Sequence, residues 1–348
     1  MILSKIVSSL NEPIRLRKLP QFNDEPRFFK YACEFVSDKV SENCSGSSIA
    51  LNEEAAQIKA FGEAIERYSL EDRGQGSFVI GSFKEIAKEG YNVIDPIEFF
   101  RFGKKIFSKS QEINDIKNAK LKWSMGVNAI DEGNILVPSQ TIYIPYFSDL
   151  NEPNIREPTS TGAAFGLDLE SALERGLLEI IERDSFIKWW LSGKKAKKIK
   201  FSSETLKCLS EYFQRYLIDV YSSNITSEVG IPTVMTVLID RTNNGPYVSL
   251  GLKSSYNQQD ATLGSIIEAQ QVREYTRVNQ INGRFKPIND PLRVTDLESR
   301  AGFWAFKNND NNIEKIFDIS ETDDEDNSEM KESTKQKIVN LGFNVIYV

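Results

Sequence analysis

The chain has 348 residues, 40% of them hydrophobic and 27% charged, with a formal net charge of −7. This is ordinary globular composition with room for a sizeable core, and the negative balance argues against a general nucleic-acid surface, which needs clustered Lys and Arg. No stretch is apolar enough to span a bilayer, residues 1–10 carry no secretory cleavage signal, and Cys33, Cys44 and Cys208 form no Cys-x-x-Cys pair; a cytoplasmic protein without disulfides or a zinc site is expected. Up to about Val40 the sequence has no clear period, so residues 1–40 read as an N-terminal segment and 41–348 as one folded domain. A helix is predicted over 52–70, with Asn52 as N-cap ahead of Glu53 and Glu54. Strand-like runs follow over 121–127 and 135–146, broken at Asp131-Glu132-Gly133 and ended by Pro145. A second helix is predicted over 168–191, and the basic run 194–200 reads as a solvated loop. Runs 232–240 and 246–252 flank Asn243-Asn244-Gly245, a hairpin signal, and a third helix covers 260–279 with Glu268, Gln270 and Arg273. The acidic segment 321–329 reads as a solvated linker and 341–348 as a strand. The mixture predicts an α/β, or mixed α+β, fold.

The sequence contains no histidine. Ser-His-Asp and Cys-His catalysis are therefore excluded, and chemistry must run on carboxylates, Arg, Lys, a metal or the substrate's own groups. Two matched clusters supply carboxylates: Glu63-Ala64-Ile65-Glu66-Arg67 in the first helix and Glu179-Ile180-Ile181-Glu182-Arg183 in the second. Each Glu pair stands on consecutive turns of one helix face. If those faces meet, carboxylates about 5 Å apart repel by roughly 3 kcal/mol per pair at an effective dielectric near 20, so a cation must sit among them. Mg2+ with a phosphorylated ligand is the occupant this predicts.

Aligning Glu63 with Glu179 also sets Glu54 on Glu170, Ala56 on Ala172 and Ser69 on Ser185, which suggests two related halves. For either copy alone, a solvated face with an i,i+4 Glu–Arg pair worth about 0.2–0.5 kcal/mol is the plain alternative. The small residues Ala56, Ala60, Ala172 and Gly176 argue for a close neighbour instead, since Gly176 inside a helix costs about 1 kcal/mol relative to alanine. A P-loop is excluded, and Gly74-Gln75-Gly76 reads as a turn rather than a dinucleotide fingerprint.

The run Thr159-Ser160-Thr161-Gly162-Ala163-Ala164-Phe165-Gly166, then Leu177 to Phe186 with Trp189-Trp190 behind it, resembles the signature of YcaO-domain proteins. Glu63-Ala64-Ile65-Glu66-Arg67-Tyr68-Ser69 is similar to that family's first ATP-site helix, and Glu268-Ala269-Gln270-Gln271-Val272-Arg273 to its third. The resemblance implies a fold particular to the family, two pseudo-repeated halves with acidic helices facing each other over ATP and Mg2+. It implies Glu63, Glu66, Glu179 and Glu182 as metal ligands, and Arg183 and Arg273 as catalytic residues on the phosphates. It further implies ATP-dependent activation of a peptide backbone amide, nearest to the cyclodehydratases that turn Cys, Ser or Thr of a ribosomal precursor peptide into thiazoline or oxazoline, forming ADP and phosphate. Thioamide or amidine formation, and a non-catalytic nucleotide-binding scaffold, are the other readings of the same resemblance. The implied partners are the precursor peptide, a leader-binding ThiF-like or TfuA-like protein, a flavin dehydrogenase in the complex and a second copy in a homodimer; bacteriocin biosynthesis is the implied setting. Three features depart from the pattern. The approach to the first helix is Ser45-Gly46-Ser47-Ser48 where a glycine-rich, lysine-containing run is expected; Glu170-Ser171 replaces an acidic pair; and a proline-rich tail is expected where the chain has Ile346-Tyr347-Val348.

Overall fold

The computed structural model of the chain describes residues 12–37, 40–41, 44–72, 78–99, 110–148, 150–307, 317–326 and 328–348. Strands β1 (Ile14–Lys18), β2 (Phe29–Phe35) and β3 (Ser45–Ala50) form an antiparallel meander, followed by helix α1 (Glu53–Leu70). After β4 (Val79–Ser82), α2 (Phe83–Lys88) and α3 (Ser110–Asn118), strand β5 (Lys120–Asn128) pairs with β4 and with β6 (Asn134–Pro138). Helix α4 (Leu169–Ser192) leads to β7 (Ala196–Lys200) and α5 (Glu204–Gln214). A second antiparallel sheet, β8 (Ile218–Asn224), β9 (Thr233–Asp240) and β10 (Val248–Ser254), is followed by α6 (Gln258–Ile281) and α7 (Leu297–Trp304). The chain then forms β11 (Phe317–Asp324), α8 (Thr334–Asn340) and β12 (Ile346–Tyr347), which pairs with β5.

The three long helices start on side-chain caps. Asn52 accepts from the Ala55 N–H at 2.8 Å, Asp168 from Ser171 at 2.7 Å and Asn257 from Asp260 at 2.8 Å, each supplying an acceptor that the first turn of a helix lacks. Ser171, where the family pattern favours a second carboxylate, closes the reciprocal half of a capping box with Asp168.

Every residue of β9 is buried, because helices cover both faces of its sheet. Leu238 packs with Ile266, Ile267 and the apolar stripe of α5, while Met235, Val237 and Ile239 pack toward Phe186 and Trp189 of α4. A pleated strand sends alternate residues to opposite faces, so this one strand fixes α6 on one side and α4 on the other.

The two ββα units, β2-β3-α1 and β9-β10-α6, match one another. Asn52, Ala56, Glu63 and Ala64 correspond at one constant offset to Asn257, Ala261, Glu268 and Ala269. Gly46 of β3 lies so close to α1 that a Cβ would come 2.2 Å from the Ala60 carbonyl, and a Cβ on Gly251 of β10 would come 2.2 Å from that of Ser265. In both units a strand glycine lets the helix backbone sink onto the sheet. The structural correspondence thus joins α1 to α6, whereas the sequence alignment of Glu63 with Glu179 joins α1 to α4. Helix α6 also reaches the first unit, where Gln271 donates to the Ser47 carbonyl at 2.8 Å and Lys30 pairs with Glu274 at 2.6 Å.

Several sequence expectations change. The strand predicted over 135–146 ends at Pro138, followed by a 3-10 turn over Ser139–Thr141 and a cis Ile144-Pro145 bond. The basic run is strand β7 rather than a loop, and the acidic linker begins as its parallel partner β11, with Lys197 facing Asp323 at 3.9 Å. The C-terminal strand is confined to Ile346–Tyr347. Within the aperiodic N-terminal stretch, β1 and β2 complete the first sheet. Gly74-Gln75-Gly76 lies outside the described residues.

Candidate nucleotide and metal site

Two backbone segments bring the acidic helices together. The loop before α4 donates the Phe165 N–H to Glu66 at 2.7 Å and the Gly162 N–H to Glu179 at 3.1 Å, so one short run is tied to both α1 and α4. Gly176 has its reason here: a Cβ would meet the Gly162 carbonyl at 2.6 Å. Strand β10 makes the corresponding tie on the far side, where Ser254 N–H donates to Glu182 at 3.2 Å and Leu252 N–H donates to Glu268. Glu63 in turn accepts from the Ser47 N–H at 2.8 Å and pairs with Arg67 at 2.6 Å. Arg183 lies between the acids, 3.8 Å from Glu179, 3.6 Å from Glu182 and 4.0 Å from Glu268.

The site accordingly unites Glu63, Glu66, Glu179, Glu182 and Arg183. It adds Glu268, which the sequence motif contained but which had no assigned role; its match to Glu63 in the repeated ββα unit was the available signal. Arg273 belongs elsewhere. Its guanidinium is buried, with Nε and Nη2 on Glu25 at 2.7 and 2.9 Å, Nη2 also on Asp240 at 2.6 Å, and Nη1 on the Pro246 carbonyl at 2.9 Å. Arg277 joins the same cluster through Glu25 and Asp24, both at 2.7 Å. Burial alone would raise the Asp240 carboxyl, but Thr242 and Arg273 hold it below the usual range. The phosphate-contacting role expected of Arg273 is corrected to an ionic clamp between α6, β9 and the N-terminal segment.

Burial and mutual repulsion outweigh the positive charge of Arg183 and Lys253 at Glu182 and Glu268. Burial, then the neighbouring Glu179 and Glu63, push Glu66 up to about 7 against the Phe165 hydrogen bond. Burial and the adjacent Glu182 raise Glu268 to about 7, and burial also raises Glu182. Among the described residues no three such ligands stand close enough to hold a metal ion by themselves. The gathered carboxylates, raised by burial and by one another, are an all-oxygen donor set that suits Mg2+ bound with a nucleotide, whose phosphate oxygens and waters would complete the octahedron.

A pH prediction follows for the ligand-free protein. Glu66 and Glu268 have folded pKa values above their ordinary 4.5, so over that window the folded state holds protons that the unfolded state has released. Their contribution to stability is complete below 4.5 and is lost as pH rises through about 7. Thermal melts between about pH 5 and 8 should therefore show a decline that Glu66→Gln flattens. An equally steep decline in Glu66→Gln would reject this assignment.

Comparison with known proteins identifies the family and the fold. The sequence model described as YcaO cyclodehydratase, ATP- and Mg2+-binding, matches residues 48–348. An uncharacterized protein of Methanothermobacter thermautotrophicus is 24% identical over 259 residues, covering 72% of this chain and 61% of the relative, so the chain spans less than two thirds of that protein. A heterocyclase in complex with substrate and cofactor superposes with TM-score 0.73 at 16% identity, over 95% of this chain and 46% of that one. YcaO from Methanopyrus kandleri, bound with AMPPCP and Mg2+, gives 0.59 at 16% identity over 90% and 70%; the E. coli microcin synthetase McbBCD complex gives 0.66 at 15% over 94% and 80%. These structures share the mixed α/β fold, and no helix among the described residues is long and apolar enough to cross a membrane. The chain belongs to the ATP- and Mg2+-binding YcaO cyclodehydratase family.

Proposed function

We propose that the chain activates backbone amides of a ribosomal precursor peptide at the expense of ATP, and that the nucleophile is the peptide's own Cys, Ser or Thr, giving thiazoline or oxazoline. The observation that carries this reading is the convergence of α1, α4 and α6 on one acidic cluster, with Glu66 of α1 feeling Glu179 of α4 and Arg183 set among Glu179, Glu182 and Glu268. Glu63, Glu66, Glu179 and Glu182 would hold Mg2+, with Glu268 beside them, and Arg183 would contact phosphate oxygens through its planar fork. Bound Mg2+-ATP supplies a phosphoryl group that converts the amide-derived oxygen into a phosphate leaving group. The chain's own side chains then mainly orient and neutralise. Glu66 and Glu268, raised to about 7 by burial and neighbouring carboxylates, would ionise more fully when positive charge arrives. Without histidine, the site has no imidazole base, which suits a reaction whose nucleophile belongs to the substrate.

The precursor would be presented by a separate leader-binding protein, ThiF-like or TfuA-like; the E. coli microcin synthetase, solved as a McbBCD complex with pro-MccB17 bound, supports the idea of a multi-protein assembly. The test combines the chain with its partner and precursor and follows ADP, phosphate and peptide mass. Peptide-dependent release of ADP and phosphate, with loss of one water from the peptide, is expected. Exchange of oxygen for sulfur would assign thioamide formation instead, and nucleotide release indifferent to peptide would reject amide activation.

A further inference from the structure

The cleft contains two lysines that the foregoing reading does not use. Lys59 stands one turn before Glu63 on α1, and Lys253 sits on β10 between Leu252 and Ser254, the residues whose N–H groups hold Glu268 and Glu182. The stem of Lys253 lies over Gly264 of α6, where a Cβ would be 2.6 Å from its Cγ. Gly264 is the counterpart of Lys59 in the repeated ββα unit, so each unit contributes one amine, from the helix in the first and from the strand in the second. Where the first unit has Ser48, the second has Lys253. Both residues reach the surface, and Lys253, Glu268 and Arg175 all bear electrostatically on Lys59, which sets the two amines on the same side of the acidic cluster.

Among the described residues neither amine forms an ion pair or hydrogen bond, although Glu182 and Glu268 both feel the charge of Lys253. Burial around Lys59, then the charge of Lys253, lower its pKa from the ordinary lysine value. A flexible amine beside carboxylates ordinarily folds onto one of them, and two amines repelling each other gain most from a shared multivalent anion. Resting on the proposed function above, we propose that Lys59 and Lys253 together grip the terminal phosphoryl group of the nucleotide and the phosphate released from it, adding two positive charges to that of Arg183. The lysine expected on the approach to α1, where this chain has Ser45-Gly46-Ser47-Ser48, is then unnecessary, since the same charge arrives from α1 and β10.

The test is calorimetric titration of the full chain with Mg2+ plus AMPPCP, and separately with AMP. In Lys59→Met and Lys253→Met, AMPPCP affinity should fall on the order of tenfold each and AMP affinity less than about twofold, because only the former reaches the two amines. Lys→Arg at either position should restore most of the loss, and inorganic phosphate should compete with AMPPCP in wild type but not in the double Met variant. AMPPCP affinity unchanged in the double variant, beside normal wild-type binding, would overturn the lysine assignment and leave the nucleotide site standing. Equal losses for AMP and AMPPCP would also overturn it, as would a fall in melting temperature that accounts for both. No binding of Mg2+-AMPPCP by wild type would overturn the site and the lysine assignment together.

Discussion

Glu182→Gln is expected to lower ATP turnover on the order of 10²–10³-fold while leaving the fold intact. Glu182 is 3% exposed and ties α4 to the β10–α6 unit: it accepts from Ser254 of β10, lies 3.6 Å from Arg183 and raises the neighbouring Glu268. Glutamine keeps the shape and can still accept from the Ser254 N–H, but it carries no charge to meet a metal. The same change removes the cost of burying an ionised group, so the ligand-free melting temperature should hold or rise. A purely structural role would show the reverse pattern, with stability lost and turnover kept per folded molecule. Turnover within about twofold of wild type would remove Glu182 from the metal set.

The second large effect is on stability and lies at Arg273. Arg273→Met leaves Glu25 and Asp240, each about 1% exposed, without their shared guanidinium, and should cost about 3–5 kcal/mol in urea unfolding. Arg273→Lys should recover part of this, because an ammonium restores charge but cannot reproduce bonds to Glu25, Asp240 and the Pro246 carbonyl at once. Folded Arg273→Lys should bind Mg2+-nucleotide with near wild-type affinity. Near wild-type stability combined with lost nucleotide binding would instead return Arg273 to the phosphates, as its place in the third motif first suggested.

The contrast between Arg183 and Arg273 shows what the sequence could and could not reveal. The cap Asn52, the helical spacing around both Glu-x-x-Glu-Arg clusters and the Asn243-Asn244-Gly245 turn are local signals, and the corresponding elements form where they were read. Arg183 follows Glu182 on a helix whose acidic face was already defined. Arg273 shares a helix with Glu268 but lies five positions on, about 140° around the axis, which already pointed it away from the acids. Its partner Glu25 is 248 residues distant and sits in a stretch without periodicity, so no local pattern announced the clamp.

Long-range pairing likewise hid β7 and β11. Lys194 to Lys200 and Glu321 to Glu329 each look solvated in isolation, since a run of like charge repels itself. Side by side as parallel strands, the basic and acidic runs neutralise one another, as Lys197 and Asp323 do. The strand–helix correspondence was hidden for a different reason. The two Glu-x-x-Glu-Arg clusters are the more conspicuous match, but the matching strand–helix units are marked by quieter residues: a capping Asn, a strand Gly, and a Glu-Ala pair whose glutamate takes a strand N–H.

Acids on α1 and α4 would hold a divalent ion that in turn holds a nucleotide. The most direct test of this arrangement is a crystal structure of the full chain grown with Mn2+ in place of Mg2+ and with AMPPCP, using the anomalous signal to locate the metal. The account predicts Mn2+ coordinated by oxygens of Glu63, Glu66, Glu179 or Glu182 and by phosphate, with Arg183 on the phosphates. A nucleotide bound away from those helices, or Mn2+ ligated by none of those glutamates, would contradict it.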